Sequence, residues 1–153
     1  MLSKKTRYAL QALMILTQSR KKNQDPVLIS ELARRGKMPR KFLESILLEL
    51  KNNGILQSKK GKGGGYTLAK APQDIPLGQV IRLLEGPLAL LPCVSQMAYR
   101  RCEECPDPNA CGIRQLFQEV RDSTSRILDG TSLAKVQEVQ EKVAKGKNQM
   151  YFI

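Results

Sequence analysis

Residues 29–66, ISELARRGKMPRKFLESILLELKNNGILQSKKGKGGGY, decide the predicted fold. Ser30 is predicted to cap a first helix that runs through Arg34, and Gly36 to Met38 are predicted to break it. Pro39 suits the first turn of a second helix, which ends at Asn53-Gly54. Its predicted buried face repeats at helical spacing and comprises Phe42, Leu43, Ile46, Leu47 and Leu50. Two helices joined by about three residues that include a Gly form the helix-turn-helix pattern.

The periodicity then changes from helical to strand-like. Residues 55–59 and 66–69 are short strand candidates, and the glycine-rich run 60–65 lies between them. Glycines at such a position can adopt positive φ and close a hairpin. A helix-turn-helix followed directly by a basic hairpin predicts a winged helix.

Four further helices are predicted outside this region. The first spans residues 3–19 with Ser3 as its N-cap, and another spans residues 77–84 after Pro76. An amphipathic pattern indicates a long helix at residues 113–128. Thr131 is predicted to cap a weaker helix that contains Leu133, Val136, Val139 and Val143. Residues 146–153 carry no clear signal.

The positive charge of the chain is confined to its first half. The chain has 153 residues and a net charge of +12; residues 1–70 hold 16 Lys and Arg against four Asp and Glu, and residues 71–153 hold ten of each. This distribution favours a part that binds a polyanion joined to a part with another task. The sequence contains no His, which excludes Ser-His-Asp and Cys-His catalysis and every His-ligated metal site.

The sequence is typical of a soluble chain that is not exported. No apolar run approaches the roughly 18–20 residues that a membrane span needs. The first 16 residues are too interrupted by polar side chains for a secretory signal. We therefore expect a cytoplasmic protein in a reducing compartment, with no membrane partner.

All four cysteines lie in one Pro-rich segment, with the spacing C-x8-C-x2-C-x5-C; they are Cys93, Cys102, Cys105 and Cys111. Such clustering is hard to explain by core packing. Three interpretations stay open: an iron–sulfur cluster on three or four thiolates, a structural Zn on four Cys, and a thiol or disulfide sensor or inert thiols.

The chain resembles the Rrf-two family of bacterial winged-helix transcription regulators, of the IscR, NsrR and CymR types. The resemblance is carried by LSKKTRYAL at 2–10, the helix pair at 29–54, GGGY at 63–66, LGQVI at 77–81 and TSL at 131–133. It implies a homodimeric regulator that binds operator DNA sequence-specifically and is not an enzyme. The implied fold is mainly α with a small β-hairpin wing: a winged helix-turn-helix plus a long dimerisation helix.

The resemblance also implies an organisation into three parts. Residues 1–87 would form the DNA-binding domain, residues 88–112 the cluster-binding loop, and residues 113–153 the dimerisation helix and tail. The long helix would pair with its two-fold mate through the apolar residues Ile113, Leu116, Phe117, Val120, Ile127 and Leu128.

Candidate DNA contacts lie on the first helix, the second helix of the pair and the wing. They are Ser3, Lys4, Lys5, Arg7, Arg40, Lys41, Glu44, Ser45, Lys59, Lys60, Lys62, Gly63 and Gly64. Glu49 is also expected to face outward, whereas Tyr66 is expected to pack within the hairpin. Arg40 or Lys41 can bond guanine or phosphate, and Glu44 can accept from cytosine N4. Glu44 resembles a residue that influences site choice in IscR-type members, and Lys60 aligns with a basic wing residue placed in the minor groove.

The resemblance supports a 2Fe–2S or 4Fe–4S cluster, because IscR-type and NsrR-type members carry a Cys trio at the same place. The Cys spacing here differs from theirs and a fourth Cys is present, so the ligand set stays open. The expected signal is iron–sulfur supply, redox state or nitric oxide. The alternatives are a cluster-free regulator controlled by thiols or a partner protein, as in CymR-type members, a basic RNA-associated protein with Zn, and a thiol-redox catalyst using Cys102 and Cys105.

Overall fold

The computed structural model describes the backbone of residues 1–150 and the side chains of residues 1–146. The amino-terminal half contains three helices and a hairpin in the order α1, α2, α3, β1, β2. Their bounds are Lys4–Lys21, Ile29–Gly36, Arg40–Asn52, Leu56–Lys59 and Gly65–Leu68. This order is that of a winged helix-turn-helix, as the sequence predicts.

The ends of α1, α2 and α3 follow the predicted signals with two corrections. The Ser3 hydroxyl accepts a hydrogen bond from the Thr6 N–H at 3.1 Å, which confirms Ser3 as the N-cap of α1. The prediction of Ser30 as the cap of α2 is wrong, because Leu28 occupies that position and its carbonyl accepts from Leu32 N–H. Lys37, with φ 49°, takes the left-handed turn between α2 and α3. Pro39 is the N-cap of α3 rather than its first helical residue.

One hydrophobic core joins α1, α2, α3 and the hairpin. Leu13 and Leu16 of α1 pack with Leu32 of α2 and with the inward face of α3, and all are buried. The inward face of α3 comprises Leu43, Ile46, Leu47 and Leu50. Phe42 was predicted to share this face, and that prediction is wrong. Phe42 is 37% exposed because it packs edge-on against the ring of Tyr8, at 5.7 Å between centroids, outside the core.

The wing is an antiparallel hairpin in which Leu56 pairs with Leu68 and Lys59 with Gly65. Val27 adds two backbone hydrogen bonds to Tyr66, at 2.8 and 2.9 Å, and Tyr66, which is expected to pack within the hairpin, packs against the core. At Gly65 φ is 141°, and a side chain there would overlap the Val27 carbonyl. The hairpin is therefore fastened to the loop before α2.

The carboxyl-terminal half contains α4, α5 and α6, with bounds Leu77–Glu85, Gly112–Asp129 and Leu133–Met150. Residues 88–111 are irregular apart from a 3-10 turn at Pro92–Val94. Ser132, and not Thr131 as predicted, caps α6: its hydroxyl accepts from Lys135 N–H at 3.2 Å, whereas the Thr131 hydroxyl donates to the Ile127 carbonyl. Residues 146–150, predicted to carry no signal, continue α6, and residues 151–153 lie outside the described part of the chain.

The helix α5 lies on the surface, and none of its residues is buried. It packs against α4 and against the 3-10 turn of the cysteine segment. Within residues 1–150, none of the helices is both long and apolar enough to cross a membrane.

Candidate functional site

The exposed face of α3 carries most of the polar side chains that the sequence placed there. Arg40, Lys41, Glu44 and Ser45 are exposed, and the Arg40 Nε lies 3.3 Å from the Glu44 carboxylate, one helical turn away. Glu49 is expected to face outward; it lies off the buried face of α3 but is only partly exposed. Glu49 is half-buried because its carboxylate pairs with the Lys5 ammonium of α1 at 2.7 Å. This ion pair ties the amino-terminal turn of α1 to α3 and partly neutralises Lys5.

The start of α1 presents a second group of candidate residues. Lys4 and Arg7 are exposed, and the Lys4 ammonium lies 5.9 Å from the centre of the Tyr8 ring. The Ser3 N–H donates to the Glu85 carboxylate at 2.6 Å, which places the last residue of α4 at the α1 terminus. The Ser3 side chain, followed by the Thr6 side chain and the Ser3 N–H, lowers the pKa of Glu85 to about 2.

The wing supplies a third group. Lys59, Lys60 and Lys62 are exposed and take part in none of the salt bridges formed within residues 1–146. Gly63 lies exposed at the tip, whereas Gly64 is buried against the Lys59 carbonyl. Close packing inside the hairpin is therefore sufficient to require a glycine at position 64.

All four cysteines line one cavity of about 490 Å³ at the amino-terminal end of α5. Each cysteine is half-buried and none forms a disulfide. The remaining lining is largely apolar, and its polar members are Tyr99, Glu104, Asp107 and Arg114. The structure thus brings together thiols that are up to 18 positions apart in sequence.

The four thiols are not equivalent. The Cys111 sulfur caps α5 by accepting from Arg114 N–H at 3.4 Å, and this hydrogen bond lowers the pKa of that thiol. The Cys102 thiol donates to the Glu104 carboxylate at 3.2 Å, which raises the pKa of Cys102. Partial burial raises the pKa of Cys105, and the neighbouring Cys111 thiol acts in the same direction.

Two arginines of α5 fasten the cysteine segment to the helix, and the sequence reasoning missed both. Arg114 donates to the carbonyls of Cys93 and Pro108, each at 3.3 Å, and Arg121 donates to the Val94 carbonyl. Their spacing of seven residues, two helical turns, places both on one face of α5. The available signal was this spacing, which places both arginines next to Phe117 and Leu128, the half-buried edge of the apolar stripe.

The link between α4 and α5 is a bidentate ion pair. The Arg82 guanidinium donates to both carboxylate oxygens of Asp129, at 2.6 and 2.8 Å, and this contact lowers the pKa of Asp129. Glu85, one turn after Arg82 in α4, bonds the start of α1. The helix α4 therefore connects α5, which lies beside the cysteines, to the start of α1, which carries candidate DNA-contacting residues.

An apolar stripe runs along the outer side of α5. Ile113 is 65% exposed, Leu116 58%, Val120 39% and Ile127 63%, whereas Phe117 and Leu128 are half-buried. Such a row of large apolar side chains on one helix is a feature of protein–protein contact surfaces.

Comparison with known proteins places the chain among regulators. A family model described as Iron-dependent Transcriptional regulator, Rrf2, matches residues 2–139. The chain is 41% identical over 134 residues to an HTH-type transcriptional regulator of Rhodobacter capsulatus described as rrf2-like, a match that covers 87% of this chain and 89% of the relative.

Solved structures agree with the family match. CymR, the global cysteine regulator of B. subtilis, matches with a TM-score of 0.75 and 27% identity, covering 91% of this chain and 97% of CymR. IscR from T. potens matches with a TM-score of 0.72 and 26% identity, covering 94% and 90%. These relatives are transcription regulators and not enzymes, which confirms the class and the winged-helix fold predicted from the sequence. The chain belongs to the Rrf2 family of transcriptional regulators.

Proposed function

We propose that the chain acts as a homodimer that binds palindromic duplex DNA through α3, the start of α1 and the wing, and that a cysteine-ligated iron–sulfur cluster controls this binding. The observation that carries the proposal is the convergence of all four cysteines on one cavity at the end of α5. In this arrangement residues 1–87 form the DNA-binding domain, residues 88–112 the cluster-binding loop, and residues 113–153 the dimerisation element.

Duplex binding is supported by the distribution of exposed charge. The cations of the wing, with Lys4, Arg7 and Lys41, lie in an amino-terminal half whose net charge is +12. In winged-helix and related proteins the second helix of the pair enters the major groove, and its first turns reach the base edges. Arg40 and Glu44 occupy those turns and are candidates for base reading, whereas the lysines of the wing are candidates for phosphate contact.

Dimer formation is supported by the exposed stripe on α5. A two-fold pairing would bury Ile113, Leu116, Val120 and Ile127 against their own copies. Two recognition helices related by that symmetry would meet successive major grooves about 34 Å apart. The expected target is therefore a palindrome with half-sites one helical turn apart.

The donor set of the cavity fits an iron–sulfur cluster. Cysteine thiolates are the usual ligands of 2Fe–2S and 4Fe–4S clusters, and here four thiols face one largely apolar space. Cys93, Cys102, Cys105 and Cys111 would hold the group, which when bound supplies redox chemistry and reactivity towards nitric oxide. The description of the matching family as iron-dependent agrees with this assignment.

A single Zn ion is less well supported by the same geometry. With Zn–S bonds near 2.3 Å, a tetrahedral site needs its sulfurs about 3.8 Å apart. Among the side chains described, no three Cys, Asp or Glu converge closely enough to hold one ion. A cluster distributes its ligands over several iron atoms, so its thiolates surround a larger space.

The path from the cysteines to the DNA-binding surface follows identified contacts. Arg114 and Arg121 attach the cysteine segment to α5, Asp129 at the other end of α5 pairs with Arg82 of α4, and Glu85 of α4 bonds Ser3 at the start of α1. Thiol ligation that orders residues 93–111 would change the position of α5, and this chain of contacts would carry the change to α1.

A second candidate function is regulation by the thiols themselves, without a cluster. It is favoured by the four free thiols that line one cavity and by the structural similarity to CymR. A peroxide that takes two electrons from two of these thiols would join them in a disulfide, with water as the other product, and would change the same segment.

The deciding experiment is anaerobic purification followed by iron and sulfide analysis, with mass determination by sedimentation and in vitro selection from a randomised duplex pool. We expect iron and sulfide in equal amounts, a dimer, and enrichment of palindromic sequences. An iron-free protein that cannot be reconstituted but still selects palindromes would support thiol control. A monomer that prefers single-stranded RNA would overturn the proposal.

A further inference from the structure

The Arg114 side chain bridges two separate limbs of the cysteine segment. Its Nε donates to the carbonyl of Cys93, in the limb before the C-x-x-C, and its terminal nitrogen donates to the carbonyl of Pro108, in the limb after it. The Arg114 backbone N–H also reaches the Cys111 sulfur. One residue of α5 therefore contacts the first cysteine, the last cysteine and the loop between them.

Arg114 is also electrostatically distinct in this cavity. Of the lining side chains within the described residues, it is the only cation, and it shares the cavity with two carboxylates, Glu104 and Asp107, and with the four thiols. A cluster held by four thiolates carries net negative charge, which a nearby guanidinium offsets.

We propose that Arg114 is the positioning residue of the cysteine centre: its fork holds the Cys93 and Pro108 limbs against α5 so that the four thiols face one cavity. This inference rests on the proposed function for the identity of the bound group. The contacts themselves predict an effect on the cluster-free chain as well, because both carbonyls would lose their donors when the fork is removed.

The test compares three variants of the full chain. R114Q removes the charge and the fork, and R114K keeps the charge but has no planar fork that can bond both carbonyls. R126Q is the matched control, since Arg126 lies on the same helix, is exposed, and its side chain hydrogen bonds only Ser123 among residues 1–146. Helix content by circular dichroism establishes that all three are folded.

Two readouts separate this inference from the proposed function. The first is the rate at which a reconstituted cluster is lost to an iron chelator, expected to rise on the order of tenfold or more in R114Q and R114K and to stay at the wild-type value in R126Q. The second is amide hydrogen exchange across residues 91–111 of the cluster-free chain, expected to be faster in R114Q than in R126Q.

Each outcome has a defined meaning. If amide hydrogen exchange across residues 91–111 is equally fast in R114Q and R126Q, the positioning role is overturned, whether or not any cluster binds. Cluster loss at the R126Q rate in both Arg114 variants would overturn it equally. If the wild-type chain takes up no cluster, the proposed function fails, and the exchange measurement alone then decides whether Arg114 holds the segment.

Discussion

Removing the Lys60 charge is expected to change the salt dependence of duplex binding by a calculable amount. Lys60 follows β1 directly, is exposed, and pairs with no carboxylate within residues 1–146. If each protomer places it on one phosphate, a dimer makes two such contacts. Each contact contributes about −0.9 to the slope of log K against log salt. K60A should therefore make that slope shallower by about 1.8.

This change is large enough to measure. Between about 50 and 200 mM salt, a slope difference of 1.8 means that the wild-type affinity falls about 12-fold more than that of K60A. Fluorescence anisotropy with a labelled palindromic duplex, titrated at several KCl concentrations, provides the slope. K142A is the control, because Lys142 is exposed on α6, far along the chain from the wing, and its loss removes the same charge.

The comparison has a clear refuting result. K60A is expected to weaken binding to all duplexes alike, since a phosphate contact carries no base information. Parallel salt slopes for wild type and K60A would show that Lys60 does not contact phosphate. A shallower slope for K142A would show that net charge, and not the wing, determines the salt dependence.

Three further predictions concern base reading, the core and the α4–α1 contact. E44A should change the order of affinities among the selected duplexes, because discrimination at one base pair should change by about 1–3 kcal/mol in competition binding. An unchanged order would show that Glu44 does not contact a base. L47A should lower the free energy of unfolding by about 2–5 kcal/mol in urea titrations, because Leu47 is fully buried; a change below 1 kcal/mol, roughly, would contradict the core assignment. The Glu85 pKa is lowered from 4.5 to about 2 by the folded contacts, so its stabilisation is present above pH 4.5 and is lost as the pH falls towards 2. E85Q should therefore show a flatter dependence of stability on pH across that window, and a profile identical to wild type would refute the Ser3 contact.

The winged helix could be predicted because its signals are local. Apolar spacing in α1 and α3, the Ser3 cap and the glycine-rich turn each specify backbone geometry within a few residues. The start of α2 could not be located this way. Val27 is held by two hydrogen bonds to Tyr66, 39 positions away, and the chain turns directly from that bridge into the helix, with Leu28 in place of Ser30 as the cap.

Side-chain partners from distant segments account for most of the remaining differences at the candidate site. Periodicity predicts Phe42 in the core and Glu49 on the outer face of α3. Contacts with α1 determine both side-chain positions, because the Phe42 ring packs against Tyr8 and the Glu49 carboxylate pairs with Lys5. The sequence identified the four cysteines as a group. It could not show that they share one cavity, because that depends on Arg114 and Arg121 binding carbonyls up to 27 positions away.

The most direct test of the central claim is the affinity of one protein preparation for its selected palindromic duplex, measured anaerobically before and after removal of the cluster at fixed salt. The account predicts a change in the dissociation constant of at least about fivefold, the range of typical coupling between two sites. The same change should be absent in C93S, which lacks a proposed ligand. Equal affinities with and without the cluster would contradict the claim that the cysteine cavity controls DNA binding.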